Sequence, residues 1–250
     1  MIEIKIDHIK FSDSTSQQPL LENIKFLLSE NKIYSIIGKN GSGKSTLVKS
    51  ITRLIDTDTI EIKGEILFDH LDLLKIDSEK LEQIRKKDIR YVFQDAVNSF
   101  NPLKKFKYYF NEYVDSIDEI ERLLDYFLLP SSTKLFSLHP YEVSGGMAQR
   151  INLIIALLAK PRLLILDEPT SAIDTPITNL IKLKLQEYIK NNQSTVLIIT
   201  QDLQFAKEVS DDIALLQNNS LSDFVEQTNF QTPTVSIANL TSDQLLPGVE

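Results

Sequence analysis

Near the start of the chain, Ile2, Ile4 and Ile6 alternate with Glu3, Lys5 and Asp7, and Ile24, Phe26 and Leu28 repeat the same period. Side chains along a strand point alternately to its two faces, so these runs predict two half-buried antiparallel strands. The polar run from Ser12 to Pro19, rich in Ser and Gln, predicts a hairpin loop between them. Ile33 to Ile37 is apolar throughout, as a strand covered on both faces would be. Gly38 then opens a glycine-rich turn, and Lys44 to Leu54 predicts a helix. Leu71 to Lys87 predicts a charged, weakly amphipathic helix, and Ile89 to Phe93 a short buried strand ending at Gln94. From Asp95 to Leu138 the composition shifts to Phe, Tyr, Asn and charges, with helical spacing at Ile120, Leu123, Leu124 and Phe127, which predicts an inserted helical subdomain. After Pro140 the pattern predicts a helix from near Ser144, a strand from Leu163 to Leu166, a helix from Pro176 to about Asn191, and a strand from Thr195 to Ile199. Strands alternating with helices predict an α/β fold with a mostly parallel sheet, here preceded by an antiparallel β subdomain. The tail from Asn218 is polar and irregular.

Composition narrows the classes of function. A chain of 250 residues is long enough for one large domain, or for one domain carrying a smaller subdomain. Its 27 Lys and Arg against 35 Asp and Glu leave a formal charge of −8, which argues against a nucleic-acid partner held by its phosphates. There is no Cys, so disulfides, thiolate metal sites and cysteine-held iron–sulfur clusters are excluded, and a reducing cytoplasm fits. The most apolar stretch, Ile151 to Leu166, is broken by Lys160, Pro161 and Arg162 and falls short of the roughly 20 residues a membrane span needs. The N-terminus lacks a basic-then-apolar signal pattern, so the chain is not expected to be secreted.

The candidate chemistry starts at Gly38-Lys39-Asn40-Gly41-Ser42-Gly43-Lys44-Ser45-Thr46, a full P-loop pattern placed between a predicted strand and a predicted helix. Glycines let successive N–H groups turn inward, and the helix N-terminus adds partial positive charge for phosphate. Lys44 would reach the β and γ phosphates, and Ser45 would offer its hydroxyl to Mg²⁺. Such a metal also needs a carboxylate. Leu163 to Leu166 ends in Asp167 and Glu168, delivered by a buried strand to the sheet edge where nucleotides bind. Asp167 would hold Mg²⁺ through water, and Glu168 would orient and polarise the attacking water. An acidic helix cap after a core strand is the plainer reading of that segment taken alone.

Ser144-Gly145-Gly146-Met147-Ala148-Gln149-Arg150 lies about one helix upstream of the acidic strand. A Ser hydroxyl and two Gly N–H groups at a helix start can form an anion site facing away from the chain's own P-loop, although Ser-Gly-Gly alone also suits a simple helix cap. In this order the three motifs resemble those of ABC ATPases, over roughly residues 1 to 216. The resemblance implies that Gln94, after Tyr91-Val92-Phe93, senses the metal and joins the core to the helical subdomain. It also implies that Ser171-Ala172-Ile173-Asp174 communicates across a dimer, and that residues 1–217 form the nucleotide-binding domain, with helices inserted at about 95–160. Residues 218–250 are then a short tail of unknown role. Phe11 would stack the adenine, or is a core Phe at a strand end. Phe93-Gln94-Asp95, Ser99-Phe100-Asn101-Pro102 and His139-Pro140-Tyr141-Glu142-Val143 running into Ser144 to Met147 are similar to the ATPases of dipeptide, oligopeptide and nickel importers. His139 reads as a loop or capping residue, since the chain has only three His.

That likeness implies a motor bound to the cytoplasmic face of the membrane. Its partners would be a second, non-identical ATPase chain, membrane-spanning permeases and, indirectly, a solute-binding protein. ATP would lie between one chain's P-loop and its partner's Ser144 to Gly146. Closure would reach the permeases through Phe100 to Tyr113, whose aromatics suit either a docking groove or packing within the helical subdomain. One position departs from the pattern. Gln201 stands in Thr200-Gln201-Asp202 where the family expects a γ-phosphate-contacting His, and an amide carries no charge and shuttles no proton. Gln201 therefore reads either as slowing hydrolysis at this chain's own site or as a tolerated variant with Glu168 carrying the chemistry. A hydrolysis-poor structural subunit and a soluble ABC ATPase of translation or DNA maintenance are the competing functions.

Overall fold

A computed structural model describes residues 1–12, 18–171 and 173–231. Residues 13–17 of the expected hairpin loop, Ala172 of the Ser171 to Asp174 motif, and residues 232–250 of the tail lie outside the described residues. Strand β1 (Ile2–Phe11) pairs antiparallel with β2 (Leu21–Leu28), as the alternation predicts, placing Ile4 opposite Phe26 and Ile6 opposite Ile24. On its other side β1 pairs with β4 (Ile60–Phe68), and the register shifts between Ile6 and His8 beside Gly64. Gly64 has φ +146°, and a Cβ there would strike the Lys5 carbonyl, so the bulge depends on glycine. With β5 (Leu71–Asp72) these strands form one antiparallel sheet, in the order β2-β1-β4-β5.

The second sheet carries the site. Its parallel core runs β9 (Asp212–Gln217), β3 (Ile33–Ile37), β8 (Thr195–Thr200), β7 (Leu163–Asp167), β6 (Ile89–Val92). All five residues of β3 and β7 and all six of β8 are buried, which is why these segments read as unbroken apolar runs. Alternate residues serve opposite faces. Tyr34, Ile36, Leu163, Ile165, Leu197 and Ile199 pack toward the antiparallel sheet and α1 (Lys44–Ile51), in a core shared with Ile4, Ile6 and Leu47. Ile33, Leu164, Leu166, Val196 and Ile198 pack on the other side against a helical core. That core takes in α3 (Phe106–Phe110), α4 (Ile117–Tyr126), α5 (Ser132–Leu135) and α6 (Gly145–Leu158), all inserted between β6 and β7, and also Ile177, Tyr188, Phe205 and Val209 from the helices after β7.

Several elements differ from the pattern reading. Leu71 to Lys87 is not one helix: Leu71 and Asp72 belong to the antiparallel sheet, and α2 spans Ser78–Lys87. Asp77 sets its start by accepting the Lys80 N–H at 2.8 Å. Helix α1 ends at Ile51 rather than Leu54, because Arg53 takes a left-handed conformation at φ 51°. Helix α7 (Thr175–Asn191) is followed after β8 by α8 (Leu203–Val209). The stretch after Asn218 supplies β10 (Ser220–Leu221) and β11 (Val225–Glu226), both antiparallel to β9, and Phe230 is buried beside Ile37 and Ile213. Among the described residues no helix is long and apolar enough to cross a membrane.

Candidate functional site

The glycine-rich turn begins where β3 ends and closes on α1, whose N-cap is Gly43 in a left-handed conformation at φ 97°. Gly41 is left-handed as well, at φ 77°. At Gly38 the constraint is space: a Cβ would lie 2.7 Å from the Leu216 carbonyl and 2.7 Å from Ser42 Oγ. The loop therefore needs its glycines for two separate physical reasons. Lys44 is buried and folds back onto it, its ammonium donating to the carbonyls of Gly38 at 2.8 Å and Lys39 at 3.1 Å.

Strand β7 brings the two acids to the same edge. Ser45 Oγ donates to Asp167 Oδ1 at 3.3 Å, and Tyr91 from β6 donates to Asp167 Oδ2 at 2.7 Å. Burial, then the charge of Asp167 and this hydrogen bond, push the Tyr91 phenol far above its ordinary range, so it stays a donor. Glu168 is buried at 7 % exposure in a left-handed backbone conformation, φ 48°. Its N–H donates to the Ile199 carbonyl at 2.9 Å. Its own carbonyl accepts from Gln149 Nε2 at 3.1 Å and from the Ser171 N–H at 3.1 Å. Such a conformation costs a non-glycine residue about 1–2 kcal/mol and persists where the surroundings over-determine it. The carboxylate completes the centre: Oε2 accepts from Thr200 Oγ1 at 2.9 Å and the Gln201 N–H at 3.2 Å, while Oε1 lies 3.3 Å from Lys44 Nζ.

Phe11, Gly41, Gly43, Lys44, Ser45, Thr46, Gln94 and Glu168 line one cleft of about 700 Å³, together with Asn40 and Asn219. Phe11 stands at its rim, half exposed, and Gln94 is also exposed there. Gln201 does not line this cleft. It borders a separate cavity of about 280 Å³ on the other side of the loop, with Gly38, Lys39, Asn40 and Ser42. Ser144, Gly145 and Gly146 stand apart from both, at the exposed start of α6, where Ser144 Oγ accepts the Met147 N–H at 3.3 Å. A Cβ on Gly145 would meet nothing within 4 Å, so that surface is open to another molecule. Gln149, one turn farther along α6, ties the same helix to Glu168.

Pattern reading passed over Tyr91 as a functional residue, and over Gln149 as the link between α6 and Glu168. Nothing in their spacing announces them; only the meeting of β6 with β7, and of α6 with the end of β7, gives them roles. His139 is the N-cap of a single helical turn, its N–H donating to Glu142 at 2.7 Å and its ring stacked on Tyr141. Phe100, Phe106 and Phe110 are buried within the helical core, and Tyr108 and Leu103 remain exposed. Among the described residues no group of three or more His, Asp or Glu could hold a metal by itself. Ser45 with a single carboxylate, Asp167, does fit Mg²⁺, which takes one or two protein ligands plus substrate phosphates and water.

A glycine-rich loop with Gly41 and Gly43 left-handed, a buried lysine at its end and two acids at the end of a nearby parallel strand define a P-loop nucleotide-binding protein. The family model described as "ABC transporter" matches residues 21–171. The ATP-binding protein of the metal-staphylopine import system of Staphylococcus aureus (strain NCTC 8325 / PS 47) is 33 % identical, over 88 % of this chain and 84 % of its own length. The oligopeptide transport ATP-binding protein of Bacillus subtilis (strain 168) is 31 % identical, over 86 % of this chain and 63 % of its own length. A dimeric ATP-binding cassette solved in a post-hydrolysis state with ADP and phosphate superposes with a TM-score of 0.77, at 23 % identity, over 92 % of this chain and all of that one, a likeness of fold. The chain belongs to the ABC transporter family.

Proposed function

We propose that this chain is the ATP-hydrolysing motor of a membrane importer for peptides, nickel or related small solutes. It works at the cytoplasmic face beside permease subunits, a second, non-identical ATPase chain and, indirectly, a solute-binding protein. The observation that carries this reading is the meeting of Ser45 with Asp167 at 3.3 Å and of Lys44 with Glu168 at 3.3 Å, with Lys44, Ser45 and Glu168 lining one cleft. Residues 1–217 act as the nucleotide-binding domain, with the helical subdomain at about 95–160. Within the 218–250 tail, β10 and β11 pair with β9. The importer assignment is supported by relatives named for metal-staphylopine and oligopeptide import.

In this mechanism Lys44 leaves the carbonyls of Gly38 and Lys39 for the β and γ phosphates of ATP, and so uncouples from Glu168. Phe11 stacks the adenine, and Lys39, Asn40 and the loop N–H groups cradle the phosphates. Ser45 and Asp167 would hold Mg²⁺, and Gln94 would sense it. The ion would supply charge neutralisation at the phosphates. Glu168 takes a proton from the attacking water. Ser144 to Gly146 serve a partner's ATP, whose γ-phosphate they meet at the start of α6. ATP turnover should rise when the chain is combined with the ATPase and permeases encoded beside it, and the chain should co-purify with those permeases. Co-purification with ribosomes or DNA instead would favour a soluble ABC ATPase.

Gln201 favours a second reading, a chain that binds ATP but hydrolyses it slowly. Its side chain is uncharged, and its backbone N–H is already engaged with Glu168. A missing charge-assisted contact slows turnover about tenfold to a thousandfold by comparison with single-donor deletions. Gln201→His should restore that factor in the assembled complex. An unchanged rate would make Gln201 a neutral variant.

A further inference from the structure

The two oxygens of Glu168 are treated differently. Oε2 receives two donors, Thr200 Oγ1 at 2.9 Å and the Gln201 N–H at 3.2 Å. Oε1 is buried and has no hydrogen-bond donor among the described residues, its neighbour being the Lys44 ammonium at 3.3 Å. The Thr200 hydroxyl is itself oriented. It accepts the Asp202 N–H at 3.0 Å, and a backbone N–H can only donate. The single hydroxyl proton of Thr200 is therefore committed to Glu168. Thr200 is the last residue of β8, fully buried, and its β-branched side chain has little rotamer freedom. Asp202, which begins the relay, is fixed in turn as the N-cap of α8, its carboxylate accepting the Phe205 N–H at 2.9 Å.

We infer that Thr200 is a positioning residue for ATP hydrolysis: it pins Oε2 of Glu168 and leaves Oε1 as the oxygen that receives the proton of the attacking water. The inference rests on Glu168 acting as the general base. In that step a water O–H bond breaks and its proton goes to Oε1. The water oxygen bonds the γ-phosphorus, and the electron pair of the broken P–O bond leaves with ADP. Lys44 covers Oε1 when no phosphate draws it away, so the base is uncovered by the same movement that binds substrate. A Glu168 lacking the Thr200 bond keeps only the backbone donor and can rotate about its last side-chain torsion, which is soft. Misplacement of a base by about 1 Å costs on the order of 10²-fold in rate.

The test is single-turnover cleavage of ATP in Mg²⁺ by the full chain assembled with a second ATPase chain whose own P-loop lysine is replaced, followed for hours, alongside ATP affinity. Thr200→Val, which keeps the shape and removes the hydroxyl, should slow cleavage roughly 10- to 100-fold with ATP affinity changed less than about twofold. Thr200→Ser should keep most of the wild-type rate. Thr200→Ala replaces Thr200→Val if the latter does not fold, as judged by its melting curve. Glu168→Gln/Thr200→Val should be no slower than Glu168→Gln, since the hydroxyl acts only through the carboxylate. A Thr200→Val rate equal to wild type, with Glu168→Gln inactive, overturns this role and leaves Glu168 as the base. So does a Thr200→Ser rate as low as that of Thr200→Val. A Glu168→Gln chain as active as wild type, or a wild type as inactive as Glu168→Gln, overturns the assignment of Glu168, and this inference with it.

Discussion

Replacing Tyr91 by Phe removes one oxygen atom from the molecule and tests how the Asp167 carboxylate is held. Asp167 is 4 % exposed, and its two oxygens have one donor each, Tyr91 at 2.7 Å and Ser45 at a longer 3.3 Å. The phenyl ring left in the variant would keep the contact that Tyr91 makes with Phe93, whose ring centroid lies 4.4 Å away, so the change is confined to the hydrogen bond. A hydrogen bond to a charged group contributes about 1.5–3 kcal/mol, and its loss leaves a buried carboxylate oxygen without a partner. A chain of this size loses about 2–4 °C of melting temperature per kcal/mol, which places the ligand-free variant about 3–12 °C below wild type at pH 7. The pH dependence follows from the direction of the shift. Burial and Asp167 raise the folded pKa of Tyr91 above its unfolded value of about 10. Its contribution is thus fully present below pH 10 and is lost as pH rises from there through the folded value. Melting curves of Tyr91→Phe and wild type without nucleotide should differ by a constant amount from pH 6 to 9 and converge above pH 10. A variant that melts within about 1 °C of wild type at pH 7 would refute the idea that Tyr91 holds Asp167.

Other consequences are as specific. Gly43→Ala forces a Cβ to within 2.9 Å of Leu21 Cδ2 at φ 97°, and should weaken binding of a fluorescent ATP analogue at least tenfold. Gly145→Ala meets open space within the chain, so its melting temperature should equal or exceed wild type while ATP turnover by the dimer falls. Asp69 is held below the ordinary carboxylate range by its hydrogen bond from Arg162 and by the N-terminal ammonium. A depressed folded pKa gives stability that is present above about pH 4 and lost as pH falls through the folded value. Asp69→Asn should therefore cost no more than about 1 kcal/mol at pH 7, since the pair is solvent-screened, and progressively less in acid-series melts as pH falls through the folded value.

What the sequence made legible is what short-range chemistry writes there. The P-loop glycines, the strand ending in Asp167 and Glu168, and the β1–β2 ribbon are each set by residues within a few positions of one another, and each stands where its pattern places it. The split of β3, β7 and β8 between two cores is invisible in a run of apolar residues, because both faces look alike until the antiparallel sheet covers one and the helices the other. Leu71 to Lys87 read as one helix because Leu81 and Ile84 carry helical spacing, but Asp72 accepts the N–H groups of Ile66 and Leu74, which fixes Leu71 and Asp72 as sheet. Strand β4 does alternate, with Ile60 and Ile62 against Glu61 and Lys63, but its Gly64 interrupts the period where the bulge forms. Tyr91, Gln149 and Thr200 act on the site from 76, 19 and 32 residues away, and no local pattern encodes those meetings.

If one cleft binds ATP through Lys44 and cleaves it through Glu168, the two functions should separate cleanly by mutation. Wild type, Lys44→Ala and Glu168→Gln should be compared in one experiment that reads ATP affinity and single-turnover cleavage, in the presence of Mg²⁺ and the partner ATPase chain, with the partner's own P-loop lysine replaced so that only this site reports. Glu168→Gln should bind ATP as tightly as wild type and cleave it at least about a hundredfold more slowly, while Lys44→Ala should lose tight binding. A Glu168→Gln chain that cleaves at the wild-type rate, or a Lys44→Ala chain that binds as wild type does, would show that the cleft does not work in this way.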